Sequence, residues 1–103
     1  MKGYKGKYLV VNLTKGKTEE HPLNMTDVRK YIGGRGLATK MMCDMINPMI
    51  EPFGEENILI MMTGPLTASA ALFACRYMVV TKSPLTGLVA SSNSEGYFQN
   101  ELK

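Results

Sequence analysis

Tryptophan is absent from the 103 residues, histidine occurs once and cysteine twice. No apolar run approaches the roughly 20 residues that a membrane-spanning helix requires. The run Ile58 to Met62 has the length of a strand. With His21 alone, and with Cys43 and Cys75 far apart and free of any CxxC spacing, neither a zinc set nor a nucleophile with an activating base is visible. The two cysteines read as buried free thiols. Paired carboxylates placed for acid–base work are also missing. Concentrated charge is lacking too. The net charge is +3, and the twelve basic residues are spread along the chain, so neither nucleic acid nor membrane is indicated as a partner. The N-terminal segment from Met1 to Lys7 is basic, but the Tyr-Leu-Val-Val run behind it lacks a small-residue cleavage site, which points to a cytoplasmic protein.

What is present suits one domain over residues 1–103, with a hydrophobic fraction of 45% and a charged fraction of 20%. Nine methionines suggest an adaptable apolar surface or a soft core, core packing being the commoner explanation. Lys7 to Leu13 alternates so that Leu9, Val11 and Leu13 share one face and Tyr8, Val10 and Asn12 the other, as a strand does. Gly16 supplies a turn, and Thr18 to His21 returns as a polar edge strand ended by Pro22. Thr26 is the expected N-cap of a helix with Val28, Tyr31 and Ile32 on its buried side, stopping at Gly33-Gly34. The stripe Leu37, Met41, Met42, Met45 and Ile46 continues it to Asn47-Pro48. The Gly33-Gly34-Arg35-Gly36 link reads either as a backbone nest for an anion or as a helix end with a close packing contact.

Ile58 to Met62 predicts a third strand buried on both faces. The small residues Ala68 to Ala71 would let backbone approach a ligand or a neighbouring strand. Tyr77 to Thr81 predicts a fourth strand, Ser83 to Gly87 a turn, and Leu88 to Ser91 a fifth strand followed by a polar loop. This order gives an α+β domain with a mainly antiparallel sheet.

The chemistry left is an inventory for anions: Arg76, Lys82 and Ser83 at the turn, Asn93 and Ser94 at the loop, each near a glycine. Each has a plainer reading. Arg76 can pair with a carboxylate, Lys82 can be solvated, and Asn93 can hold a left-handed turn. If the fourth and fifth strands pair, however, Arg76 and Asn93 come to one end of a hairpin.

Arg-Tyr-x-Val-Val-Thr-Lys-Ser-Pro-Leu-Thr-Gly at Arg76 to Gly87, with Asn93-Ser94-x-Gly96-Tyr97-Phe98 behind it, resembles the N-terminal domain of tungsten-containing aldehyde ferredoxin oxidoreductases. Val11 to Thr14, Gly33 to Ala38, Asn57 with its strand, Thr63 to Thr67 and Glu101 to Lys103 extend the resemblance over almost the whole chain. It implies that the domain is the base on which a tungsten-bispterin cofactor of molybdopterin type lies. Arg76 would sit between the pterins and a [4Fe–4S] cluster. The main-chain oxygen of Asn93 would bind the magnesium that bridges the pterin phosphates, with Ser94, Glu95 and Gly96 beside them. In the complete oxidoreductase, aldehyde becomes carboxylic acid and electrons pass to ferredoxin.

The chain departs from that pattern at Glu95, where the family has glycine, and at Ala68, Ala74 and Cys75, where glycine is common. Family members are several times longer, and neither Cys43 nor Cys75 matches their iron–sulfur ligands. The resemblance corresponds to one lobe of a duplicated domain, so the expected partners are a second copy in a homodimer or the remaining oxidoreductase domains or subunits. Two functions are therefore expected as alternatives. One is the cofactor-binding portion of an aldehyde ferredoxin oxidoreductase, itself inactive in isolation. The other is a stand-alone, self-associating domain that has lost the cofactor and has no enzymatic activity.

Overall fold

The computed structural model describes residues 2–103. Strands β1 (Lys7–Asn12) and β2 (Lys17–Pro22) form an antiparallel hairpin, in which Tyr8 stacks on its cross-strand neighbour His21. Helices α1 (Met25–Tyr31) and α2 (Gly34–Met45) follow, then β3 (Ile60–Thr63), β4 (Arg76–Lys82), β5 (Val89–Glu95) and the short helix α3 (Phe98–Leu102). The second sheet is antiparallel in the order β3-β4-β5. The architecture is α+β as expected, with two separate sheets in place of one.

Helix α1 begins two residues earlier than the sequence pattern suggests. The cap is Asn24, whose Oδ1 accepts from the backbone N–H of Thr26 at 3.0 Å and of Asp27 at 3.4 Å. Asparagine at this position satisfies two otherwise orphaned donors, leaving Thr26 inside the first turn. The helix ends at Ile32, which has φ 69 and ψ −66 and forms a γ-turn closed by the Gly33 N–H on the Tyr31 carbonyl at 2.8 Å. A β-branched residue at positive φ is strained, and the Tyr4 hydroxyl holds it by donating to the Ile32 carbonyl at 2.7 Å. Gly33 then packs on the next turn, for a Cβ there would lie 3.2 Å from Pro65 Cδ and 3.3 Å from Gly64 Cα. The glycine link thus makes a close packing contact.

The core is small. Ala38 and Met42 of α2 and Val80 of β4 are fully buried, with Ile46, Ile58, Ile60 and Met62 packed around them. In the register of the sheet, Met62, Met78 and Asn93 lie opposite one another, as do Ile60, Val80 and Ser91. These residues therefore share the face that α2 covers. Nothing in the described chain covers the other face to the same degree, and Leu59 and Met61 are exposed there. The third strand, expected over Ile58 to Met62 with both faces buried, instead begins at Ile60 and is half-buried, with Ile60 and Met62 packed against the core and Met61 exposed. The cysteines also differ from expectation: Cys43 is exposed on α2, and Cys75 is half-buried. Ala68 to Ala71 is exposed and lies outside both sheets.

The fifth strand runs to Glu95, so Asn93 lies within a strand. The Ser83–Gly87 turn brings this about: Gly87 at φ 71 donates its N–H to the Ser83 carbonyl, and the Ser83 N–H bonds the Leu88 carbonyl at 2.8 Å. Ser83 Oγ also accepts from the N–H groups of Leu85 and Thr86. Pairing then continues without a bulge to Arg76 and Glu95. Asn24→Ala is expected to lower stability by about 1 kcal/mol in urea unfolding, with a clearly smaller loss for Thr26→Ala.

Candidate functional site

Arg76 opens β4 directly opposite Glu95 near the close of β5, and Asn93 stands two residues along, opposite Met78. Side chains two apart on a strand point the same way, so Arg76, Asn93 and Glu95 lie on the side of the sheet against which α2 packs, beyond the part it covers, whereas Ser94 points to the other side. Gly96 follows the strand at φ 132, and its carbonyl accepts from Gln99 Nε2. The structure thus brings Arg76, Asn93 and Glu95 to one end of the hairpin and turns the Ser94 side chain away.

The backbone of Asn93 can be placed as well. Antiparallel pairs alternate between hydrogen-bonded and non-hydrogen-bonded types. Counting from the bonded pair Ser83–Leu88, the Met78–Asn93 and Arg76–Glu95 pairs are of the second type. Their main-chain groups point away from the partner strand. β5 is an edge strand, so the Asn93 carbonyl projects from the open edge of the sheet.

Arg76 also borders an open concavity of about 400 Å³ whose wall includes Ile32, Gly34, Pro65, Phe73 and Met78. The groove is shaped by the strained Ile32 turn on one side and the 64–67 turn on the other. Thr67, which is buried, ties the second side to the strand: its hydroxyl accepts from the Gly64 N–H and donates to the Arg76 carbonyl, both at 3.3 Å. Lys103 Nζ donates to the carbonyls of Pro65 at 2.9 Å and Thr67 at 2.6 Å. Partial burial, with the charge of Lys5 as the smaller cause, holds the Lys103 ammonium below the usual lysine range. A smaller concavity on the β1–β2 hairpin, lined by Val10, Asn12, Lys15, Lys17 and Glu19, holds none of the expected site residues.

Arg76 is not isolated electrostatically. Its Nε lies 3.8 Å from Glu95 Oε2, and both side chains are more than half exposed. The Cys75 thiol lies 3.8 Å from the same oxygen. Two members of the anion inventory leave the site altogether. Lys82 is buried, and its Nζ donates at 2.6 Å to each of the carbonyls of Pro48 and Ile50, so it fastens the loop after α2. Ser83 is consumed by its turn. Sequence reasoning missed Ile32 and Thr67, both of which shape the groove. The Thr-Gly-Pro-Leu-Thr stretch was the available signal for Thr67, and nothing local signals a γ-turn at isoleucine.

Comparison with known proteins covers the same ground. The family described as aldehyde ferredoxin oxidoreductase, N-terminal domain, matches residues 8–103. A tungsten-containing aldehyde ferredoxin oxidoreductase of Pyrococcus abyssi is 48% identical over 103 residues, which is all of this chain and 17% of that protein. An aliphatic sulfonate oxidoreductase, WOR-like subunit, of Pyrococcus furiosus is 36% identical over 106 residues, again 17% of its length. A solved structure, the active site complex BamBC of benzoyl coenzyme A reductase in complex with 1,5 dienoyl-CoA, aligns with a TM-score of 0.94 and 38% identity. That alignment covers 98% of this chain and 16% of the other. The chain therefore spans a small fraction of the length of the relatives it matches. Thr67→Val, which keeps the shape and removes the hydroxyl, is expected to lower stability by about 1–2 kcal/mol in urea unfolding and to shift the Gly64 amide resonance.

Proposed function

The chain belongs to the aldehyde ferredoxin oxidoreductase N-terminal domain family, and from that membership we propose that it is the tungsten-bispterin-binding portion of an aldehyde:ferredoxin oxidoreductase assembly. The observation that supports the reading most directly is the convergence of Arg76 and Asn93 at one end of the β4–β5 hairpin, with the Asn93 carbonyl on an open edge. These groups suit the cofactor chemically. A guanidinium keeps its charge and presents a planar fork of donors to phosphate or pterin, and magnesium takes oxygen ligands such as a main-chain carbonyl. Arg76 would bind and orient, Asn93 would hold the magnesium through its main-chain oxygen, and the backbone around Ser94, Glu95 and Gly96 would line the phosphates. The apolar concavity would exclude water from the flat ring system.

When bound, the tungsten centre would supply the two-electron oxidation of aldehyde to acid. Among the described residues no three His, Cys, Asp or Glu side chains gather as a metal site. On the family reading, the iron–sulfur ligands, the substrate cavity and the ferredoxin surface would belong to other domains or subunits of a cytoplasmic assembly. No helix among the described residues is long and apolar enough to cross a membrane.

A second reading, a self-associating domain without cofactor, is favoured by the Arg76–Glu95 ion pair and by the uncovered apolar residues Leu9, Val11, Leu59 and Met61. In it a second copy forms a homodimer over those faces. Two measurements separate the readings. Protein purified anaerobically from its native source is expected to carry tungsten or molybdenum in fixed ratio to this chain; a folded, metal-free homodimer in sedimentation overturns the first reading. The purified 103-residue chain alone is expected to show no aldehyde-dependent dye reduction, and measurable turnover contradicts the assignment of the cavity to other domains.

A further inference from the structure

Arg76 and Glu95 occupy a non-hydrogen-bonded cross-strand pair, the arrangement in which opposing side chains stand closest. The 3.8 Å between Nε and Oε2 is beyond hydrogen-bond length but well within Coulombic reach. The carboxylate therefore offsets the charge of the guanidinium without consuming that Nε–H as a donor. Exposure of both groups leaves the offset partial, because water screens it. An anion docking on Arg76 meets directed donors and, a few ångströms on, a like charge.

We propose that Glu95 is a specificity-determining residue of the Arg76 site, which ranks anionic ligands by charge: singly charged phosphodiesters are admitted, and bare polyanions such as pyrophosphate are disfavoured. The inference rests on the reading that Arg76 receives an anionic cofactor group. A lone arginine would rank ligands the other way, since its attraction grows with ligand charge. The Cys75 Sγ also donates to the same carboxylate oxygen, at 3.8 Å, which leaves the charge of Glu95 in place beside Arg76.

The test uses the 103-residue chain with metal-free inorganic pyrophosphate and, separately, dimethyl phosphate, read by titration of the Arg76 Nε–Hε resonance. Glu95→Gln keeps the size of an exposed side chain and removes its charge. It is expected to tighten pyrophosphate binding about tenfold, the scale of one like charge about 5 Å away at intermediate dielectric, with a much smaller change for dimethyl phosphate. Equal affinities for pyrophosphate in wild type and Glu95→Gln overturn the charge-ranking role while leaving Arg76 as an anion site. A pyrophosphate response that persists elsewhere in Arg76→Gln, or no response in any variant, overturns the anion site itself and the inference with it.

Discussion

Ala38 and Met42 of α2 meet Val80 of β4 with no access for water, and the exposure of the candidate site depends on that contact. Burying this trio fixes the helix over β3 and β4, so one face of those strands is dry. β5 lies outside the helix's reach and is exposed along its whole length. The polar sequence of β5 fits that placement, since serines and asparagine in a covered strand would need hydrogen-bond partners. The exposure of Arg76, Asn93 and Glu95 is thus a consequence of where α2 stops covering the sheet.

The groove beside them is rigid for a different reason. Ile32 is held at positive φ between Tyr4 and Gly33, and a Cβ on Gly33 would crowd Pro65. Pro65 and Thr67 are in turn gripped by Lys103 from the far end of the chain. Segments from the beginning, middle and end of the sequence therefore converge on one turn. Backbone strain of this kind persists only where the surroundings over-determine it.

Much of this was legible because the signals are local. Alternation gave the β1–β2 hairpin, the glycines gave the break between α1 and α2, and Pro84 with Gly87 gave the turn that pairs Arg76 with Glu95. Thr26 reads as the cap from sequence because threonine is a good capper, while Asn24, two residues before it, has the geometry to reach two N–H groups. Burial was harder to read. An apolar run such as Ile58 to Met62 does not say how many of its faces are covered, and here Leu59 and Met61 remain bare. Lys82 reads as a surface charge until the loop carbonyls of Pro48 and Ile50 close around its ammonium. The γ-turn at Ile32 was illegible because isoleucine is disfavoured there and only tertiary contacts hold it.

The open edge of β5 has one further implication. A strand laid along it would sit about 4.8 Å away and bond to the outward groups of Ser91, Asn93 and Glu95. A hydrated cation with its phosphates on the Asn93 carbonyl requires the same space. The two occupants exclude each other, so a protomer joined to its neighbour through β5 is closed to such a ligand, whereas one joined through the β1–β2 hairpin or the bare face of β3 is not. Were copies of the chain to associate, the geometry of that contact would decide whether this edge stays open to small molecules.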